Sequence, residues 1–198
     1  ANCGLPYYIG GIITDPEELT LQTPESFWKR FRIHMHVHHE VTAIHPERKT
    51  VTVLNRETGQ TFEEAYDKLL LAPGAKPILP DFQGTMPDGV FTLRTVEDTF
   101  RIRQFAEKNK PRSAVLAGGG FIGLELAENL REMGLEVTIV QKLNHLLNPM
   151  DYDMATFLHG KMRSRGIQLV LGKSVAGLSA AREGIQIQVE NHPPLTAD

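Results

Sequence analysis

One hexapeptide limits the possible folds of this chain more than any other stretch: Gly118-Gly119-Gly120-Phe121-Ile122-Gly123. It spells G-x-G-x-x-G, a weak signal by itself, but its setting gives it weight. The apolar run Ser113-Ala114-Val115-Leu116-Ala117 before it reads as a strand, and residues 121–133 after it read as a helix closed by Gly134. A second strand follows at 136–140, then a helix at about 152–165 and a strand at 167–171. That alternation predicts an α/β fold with a parallel sheet and covering helices. In the loop, Gly118 permits the tight turn, Gly120 lets a pyrophosphate approach the backbone, and Gly123 lets the helix close on the strand. The helix N-terminus supplies unpaired N–H groups and a partial positive charge for phosphate. Ala117, Gly118, Gly119, Gly120, Phe121, Ile122 and Gly123 are therefore candidate dinucleotide-binding residues. A glycine-rich turn that binds nothing is the alternative, and it leaves the strand–turn–helix–strand order unexplained.

The end of the second strand bears on which nucleotide is taken. An NAD-selective site usually has an acid there, about 20 residues on, to hold the ribose 2′-hydroxyl. This chain has Gln141 and then Lys142. A neutral amide does not repel a 2′-phosphate and an ammonium attracts one, so NADPH is permitted and NADH is not excluded. Lys142 reads equally well as a solvated surface residue.

Upstream, the texture differs. Thr23-Pro24-Glu25 is a helix start, with a capping hydroxyl, proline at the first position and an acid in the first turn. Ile33, Met35 and Val37 alternate with His34, His36 and His38, the period of a half-exposed strand. The runs 51–54 and 60–62 suggest a hairpin, and 68–72 a compact apolar strand ended by Pro73-Gly74. Pro77, Pro80, Gly84, Pro87 and Gly89 mark a boundary, and Thr95 starts a helix that ends before Pro111. Two domains follow from this, 1–80 and 81–198. The chain has no initiating Met and stops just after a strand-like stretch, so it reads as a piece of something larger.

A net charge of -3 gives no reason to expect nucleic acid or an anionic membrane as partner. No apolar run approaches the roughly 18 residues of a membrane span. The single cysteine cannot form an internal disulfide and fits a reducing compartment, so the expected location is cytoplasmic. A lone cysteine is more often a small buried hydrophobe than a reactive group. Cys3, however, stands just before a short apolar turn or helix closed by Gly10-Gly11, and a thiol at a helix N-terminus is shifted toward thiolate.

The neighbours of Cys3 add a likeness. The segment Asn2-Cys3-Gly4-Leu5-Pro6-Tyr7-Tyr8-Ile9-Gly10-Gly11 resembles the redox-cysteine segment of the single-cysteine pyridine nucleotide-disulfide oxidoreductases, the coenzyme A-disulfide reductase and NADH oxidase group. Thr23-Pro24-Glu25-Ser26-Phe27 and Tyr66-Asp67-Lys68-Leu69-Leu70-Leu71-Ala72-Pro73-Gly74-Ala75 also resemble it. So do the glycine loop with Leu124-Glu125 and Met150-Asp151-Tyr152-Asp153-Met154-Ala155. The resemblance implies a Rossmann-like NAD(P)-binding domain preceded by part of an FAD-binding domain with antiparallel strands. It implies FAD in the full-length protein, NADPH or NADH, a small-molecule disulfide or persulfide substrate of coenzyme A type, and a homodimer. It makes Cys3 the redox thiol with Asn2 beside it, places Glu125 at the nicotinamide, and sets Val41, Ala72, Pro73 and Gly74 near the flavin. Lys29, Arg30 and Arg32 could meet coenzyme A phosphates, although a solvated basic helix end is the plainer reading.

With Tyr8 where a C-x-x-x-x-C pair would put a second cysteine, a lone thiol must cycle through a mixed disulfide, a persulfide or a sulfenic acid. The resemblance also implies segments this chain does not contain: the FAD-binding Rossmann loop, a second FAD segment, the last strand of the NAD(P) domain and a dimerisation domain. Alone it is expected to hold FAD poorly and to be inactive. A non-catalytic NAD(P)-binding module is the reading from another class. His34, His36, His38 and His39 are not promoted to a metal site, because a flat exposed strand does not make ligands converge. Asp151-Tyr152-Asp153 reads as a helix cap, and Phe27 and Trp28 as core or interface residues.

Overall fold

The computed structural model describes residues 2–79 and 86–198, with the side chain of Asn2 left out. Pro80 and Gly84, two of the residues taken to mark the boundary, lie outside the described residues. In chain order the elements are α1 (Leu5–Ile9), α2 (Pro24–Phe31), β1 (His39–His45), β2 (Thr50–Asn55), β3 (Thr61–Ala65), α3 (Val96–Asn109), β4 (Ser113–Ala117), α4 (Phe121–Glu132), β5 (Glu136–Gln141), α5 (Tyr152–Ser164), β6 (Gln168–Leu171), β7 (Val175–Ala180), β8 (Ile185–Val189) and β9 (Leu195–Ala197). They fall into two compact units: Ala1–Leu19 together with Lys76–Asp198, and Thr20–Ala75. The thiol-bearing segment thus packs with the glycine-loop unit, whereas the expected division at 80/81 follows sequence order.

The larger unit is built on the parallel sheet β4-β5-β6, with Leu116 level with Ile139 and Ile139 level with Leu169. Side chains alternate across a strand, so each face of the sheet has its own set. Ala114, Leu116, Val137, Ile139 and Leu169 join one core with Ile9, Leu124, Ala127 and Leu130 from α1 and α4. Val115, Val140 and Val170 join the other with Ile185, Ile187 and Val189. One face is therefore covered by helices. The other is covered by the antiparallel sheet β7-β8-β9, where covering helices were expected. The alternation Ile185-Gln186-Ile187-Gln188-Val189 explains β8, which buries every second residue.

Two contacts close this unit. Thr95 caps α3 in a capping box: its hydroxyl accepts the Asp98 N–H, and the Asp98 carboxylate accepts the N–H groups of Thr95 and Arg94. At the far end, the Asp198 carboxylate accepts N–H bonds from Arg112 at 2.8 Å and Ser113 at 3.0 Å, tying the tail to the start of β4.

The smaller unit is the antiparallel sheet β1-β2-β3 with α2. Thr23 caps α2 with Ser26 in a capping box and Pro24 stands at its first position, as the sequence predicts. Only Val51 and Val53 reach full burial in this unit. Two expectations fail here, and a third keeps only one of its alternatives. Residues 33–37 are not a strand: pairing begins at His39 opposite Asn55, after a turn in which His38 takes φ 57°. Alternation alone makes no strand without an edge to pair with. The run 68–72 forms no strand either, and no described strand pairs with it. Phe27 and Trp28 are not core residues, because α2 buries none of its side chains.

Candidate active site

The glycine loop has the geometry its sequence demands. Gly118 has φ 116°, a conformation residues with a Cβ rarely adopt. A Cβ on Gly123 would strike the carbonyl oxygen of Gly118, so only glycine lets the first turn of α4 close over the loop. Gly120 behaves differently. A Cβ there would meet nothing within 4 Å, so packing does not require the glycine. What it provides is open space beside Phe121 and Ile122, both exposed, where the first turn of α4 begins. Among the described residues the amides of Gly120, Phe121 and Ile122 have no backbone partner. Room in front of free N–H groups is what a pyrophosphate requires. The loop residues Ala117, Gly118 and Gly119 lead directly into it.

At the end of β5 the two candidates part company. The Gln141 side chain is occupied: its oxygen accepts the Gly119 N–H at 3.2 Å, and its nitrogen donates to the His145 carbonyl at 3.2 Å. It braces the loop. Lys142 is exposed and in no ion pair among the described residues.

Cys3 is a free, exposed thiol in the 3-10 turn Asn2–Gly4 that runs into α1. Leu5 and Ile9 of that helix are 2% exposed, and α1 lies on both α3 and α4. Gly10 makes the approach to α4 possible, since a Cβ there would collide with the Asn129 side chain. Asn129 is buried and satisfied, donating to the Glu125 carbonyl at 2.8 Å. From α3, the Arg103 guanidinium lies 4.5 Å from the Tyr8 ring and donates to the Tyr8 carbonyl at 2.8 Å. Sequence reasoning missed Asn129 and Arg103, and read Gly10 only as the close of the turn. The available signal was an asparagine interrupting the apolar stripe Leu124, Leu126, Ala127, Leu130. Glu125 itself is half-buried on the first turns of α4, with no ion pair among the described residues.

The candidates for the flavin side lie in the smaller unit. Val41 is 54% exposed beside the bulge in β1. Ala72, Pro73 and Gly74 are exposed, and a Cβ at Gly74 would meet nothing within 4 Å. Together with Leu69, Leu70 and Leu71 they form an exposed apolar segment. Of the basic trio, Arg30 and Arg32 lie over the Phe31 and Trp28 rings and Lys29 is exposed. His34 packs on Trp28 and His36 meets His39 edge-on; among the described residues no three potential ligands are placed to hold a metal ion.

Two buried titratable groups in the larger unit are shifted. Burial works to raise the Asp98 carboxyl, but the Thr95 and Arg94 N–H groups and the Arg101 guanidinium outweigh it, and its pKa lies below the ordinary value. Burial, with Arg163 and His145 nearby, lowers the pKa of His159. Asp151 stands at the N-cap of α5, without a side-chain cap bond.

A parallel sheet with a glycine loop opening one of its helices, beside a helix preceded by a turn that carries an exposed thiol, defines an α/β chain of Rossmann type. The family model described as pyridine nucleotide-disulphide oxidoreductase matches residues 1–197, and the chain belongs to that family. It is 40% identical over 179 residues to the coenzyme A disulfide reductase of Staphylococcus aureus (strain JH9), covering 90% of this chain and 40% of that protein. The structure of reduced Bacillus anthracis CoADR-RHD matches with a TM-score of 0.88 at 44% identity, over 100% of this chain and 35% of that one. The water-forming NADH oxidase from Lactobacillus brevis, bound to NADH, matches with a TM-score of 0.84 at 29% identity, over 100% of this chain and 43% of that one. The chain thus spans about 40% of the length of the curated relatives it matches. No helix among the described residues is long and apolar enough to cross a membrane.

Proposed function

We propose that the protein containing this chain is an FAD-dependent NAD(P)H:disulfide oxidoreductase that reduces coenzyme A disulfide or persulfide through a mixed disulfide on Cys3. The observation that carries this reading is the join between an exposed, solitary thiol and α1, which rests on the helix opened by the glycine loop. The likeness to coenzyme A disulfide reductase of Staphylococcus aureus supports the substrate class.

Cys3 Sγ, as thiolate, attacks one sulfur of the substrate disulfide; that S–S bond breaks and the first thiol leaves. Cys3 keeps the other half as a mixed disulfide. Two electrons and a proton delivered to that bond release the second thiol and restore Cys3. The sum is RSSR + NAD(P)H + H⁺ giving 2 RSH + NAD(P)⁺. FAD, when bound, supplies the two-electron relay between nicotinamide and sulfur, with Val41, Ala72, Pro73 and Gly74 as the residues of this chain that would hold it. By the same likeness Asn2 is the residue beside the thiol. The amides that open α4 hold the NAD(P)H pyrophosphate, and Glu125 meets the nicotinamide end. Gln141 acts by bracing the loop, since its amide is already engaged. Lys142 is the group able to attract a 2′-phosphate, so NADPH and NADH are both admitted. The same reading assigns residues 1–80 to the flavin domain and 81–198 to the NAD(P)H domain of a cytoplasmic homodimer.

The test is NAD(P)H consumption by the intact protein with coenzyme A disulfide, with peroxide and with dioxygen. Coenzyme A disulfide should be turned over fastest, and Cys3→Ser should cut that rate roughly a thousandfold or more. A second reading, an NADH oxidase or peroxidase using a Cys3 sulfenic acid, is favoured by the match to the Lactobacillus brevis oxidase. Fastest turnover on peroxide or dioxygen selects it. If Cys3→Ser alters no activity, a non-catalytic NAD(P)-binding module remains.

A further inference from the structure

We propose that His159 is a positioning residue for nucleotide binding: its buried Nε2 accepts the N–H of Leu146 and so seats residues 142–147 against Gly119 of the glycine loop. The inference rests on the reading of that loop as the NAD(P)H site.

Gly119 is gripped by Gln141 and by the segment that follows it. Its N–H goes to Gln141, whose amide also holds the His145 carbonyl. Its carbonyl accepts the Leu147 N–H at 2.8 Å. Its missing side chain makes room for Leu146, whose Cδ2 occupies the place a Cβ would need. Leu146 is 0% exposed, and Leu147 takes φ 50°, a conformation that a residue with a Cβ keeps only when its surroundings hold it. The position of Gly119, and with it the open space at Gly120, therefore follows the position of residues 146 and 147.

Two imidazoles fix the Leu146 peptide. His145 Nδ1 donates to its carbonyl at 2.9 Å, and His159 Nε2, on α5, lies 3.1 Å from its N–H. His159 is 5% exposed. Because an N–H points at Nε2, that nitrogen carries no proton, and the imidazole is neutral with its hydrogen on Nδ1. An apolar side chain in its place leaves the Leu146 N–H unpaired within the core. Protonation has the same effect, since two N–H groups then face each other. The titratable and charged groups around His159 are His145 on the loop and Tyr152 and Arg163 on its own helix. Burial, with Arg163 and His145 nearby, keeps the imidazole neutral to below its ordinary value of 6.5. The grip is intact at neutral pH and loosens as pH falls further, through the lowered pKa. A core histidine chosen only for its shape would bring no such dependence.

The experiment uses the intact protein with its flavin. NAD⁺ and NADP⁺ are titrated calorimetrically between about pH 5.5 and 8, and exchange of the Leu146 amide is followed without nucleotide. His159→Leu should weaken binding by roughly tenfold and speed Leu146 exchange. His159→Gln, whose amide oxygen accepts without titrating, should bind within about threefold of the unaltered protein and lose the weakening at acid pH. Binding by His159→Leu within about twofold of the unaltered protein would overturn the proposal. So would a His159→Gln variant as weak as His159→Leu, or an unaltered protein whose affinity stays flat while the His159 ring, followed by NMR, takes up its proton. Should His159→Leu fail to fold, the pH profiles of the unaltered protein and His159→Gln decide. Failure of the unaltered protein to bind either nucleotide sinks the reading of the loop as well, which separates the two.

Discussion

Ile139 and Leu70 are similar aliphatic residues in similar apolar runs, yet one is 0% exposed and the other 90%. Ile139 sits at the centre of β5, level with Leu116 and Leu169, in the core shared with α1 and α4. Leu70 sits in a run that no described strand pairs with, inside a unit where only Val51 and Val53 are buried. An apolar run states a demand for burial and does not supply the surface that meets it. Around the glycine loop, the covering pieces are all within residues 76–198 and α1. In residues 20–75 the apolar side chains of β1, β3 and 69–71 stay open, and the proposed flavin contacts Val41, Ala72, Pro73 and Gly74 lie on or next to them.

Substitutions can break this contrast, and the largest effect should come from the closed core. Ile139→Ala removes buried methyl groups between two strands and should cost about 2–5 kcal/mol in chemical denaturation of the chain. A loss below about 1 kcal/mol would mean that the sheet is not the tight centre described here. Gly10→Ala comes next. Its methyl would enter the space of the Asn129 side chain and should cost about 1–3 kcal/mol. A double-mutant cycle with Asn129→Ala should recover part of that loss, because the smaller neighbour removes the clash. Additivity would mean that α1 does not lean on α4 there.

A smaller effect is expected at Asp98. Its carboxylate caps α3 through two N–H groups and pairs with Arg101, so Asp98→Ala should cost about 1–2 kcal/mol. The pH dependence has a definite sign. The folded-state pKa is lowered from 3.8, so the contribution is fully present above about pH 4 and disappears as pH falls through the lower value. The acid limb of the denaturation profile should flatten in the variant. An unchanged limb would place the acid sensitivity elsewhere, with Asp198 the next carboxylate to test.

The parts of the fold legible in the sequence are those with local causes. Thr23 and Thr95 open capped helices, with Ser26 and Asp98 three residues on, and Gly134 follows α4, each readable within four residues. The glycine loop was legible because its glycines answer to turn geometry and to Gly118 itself. What stayed hidden depends on contacts between distant positions. Gly10 meets Asn129 across more than a hundred residues, and Leu146 meets Gly119 and His159 from a loop without periodicity. Gln141 was legible as a non-acidic residue at the strand end, but its bond to Gly119 was not. The run 68–72 misled for the converse reason: its composition is that of a strand, and pairing is not a property of composition. The likeness carried by residues 2–11 and 66–75 pointed to the family correctly, while the roles of individual side chains rest on the tests above.

The smallest expected effect is the sharpest test of the contrast. Leu70→Ser in the 198-residue chain replaces an exposed aliphatic side chain and should shift stability by less than about 0.5 kcal/mol. The same change at Ile139 would be severe, so the two substitutions compare one chemistry in two settings. If Leu70→Ser costs the chain as much as Ile139→Ala, residues 68–71 are covered in solution and the open face is not open. If it is silent in the chain but costly in the intact protein, the cover lies outside these 198 residues: a loss that shrinks when flavin is removed from both variants assigns it to the cofactor, and one that persists assigns it to protein. That last comparison separates a face held by protein from a face held by cofactor, because only the second loses its cover when the cofactor leaves.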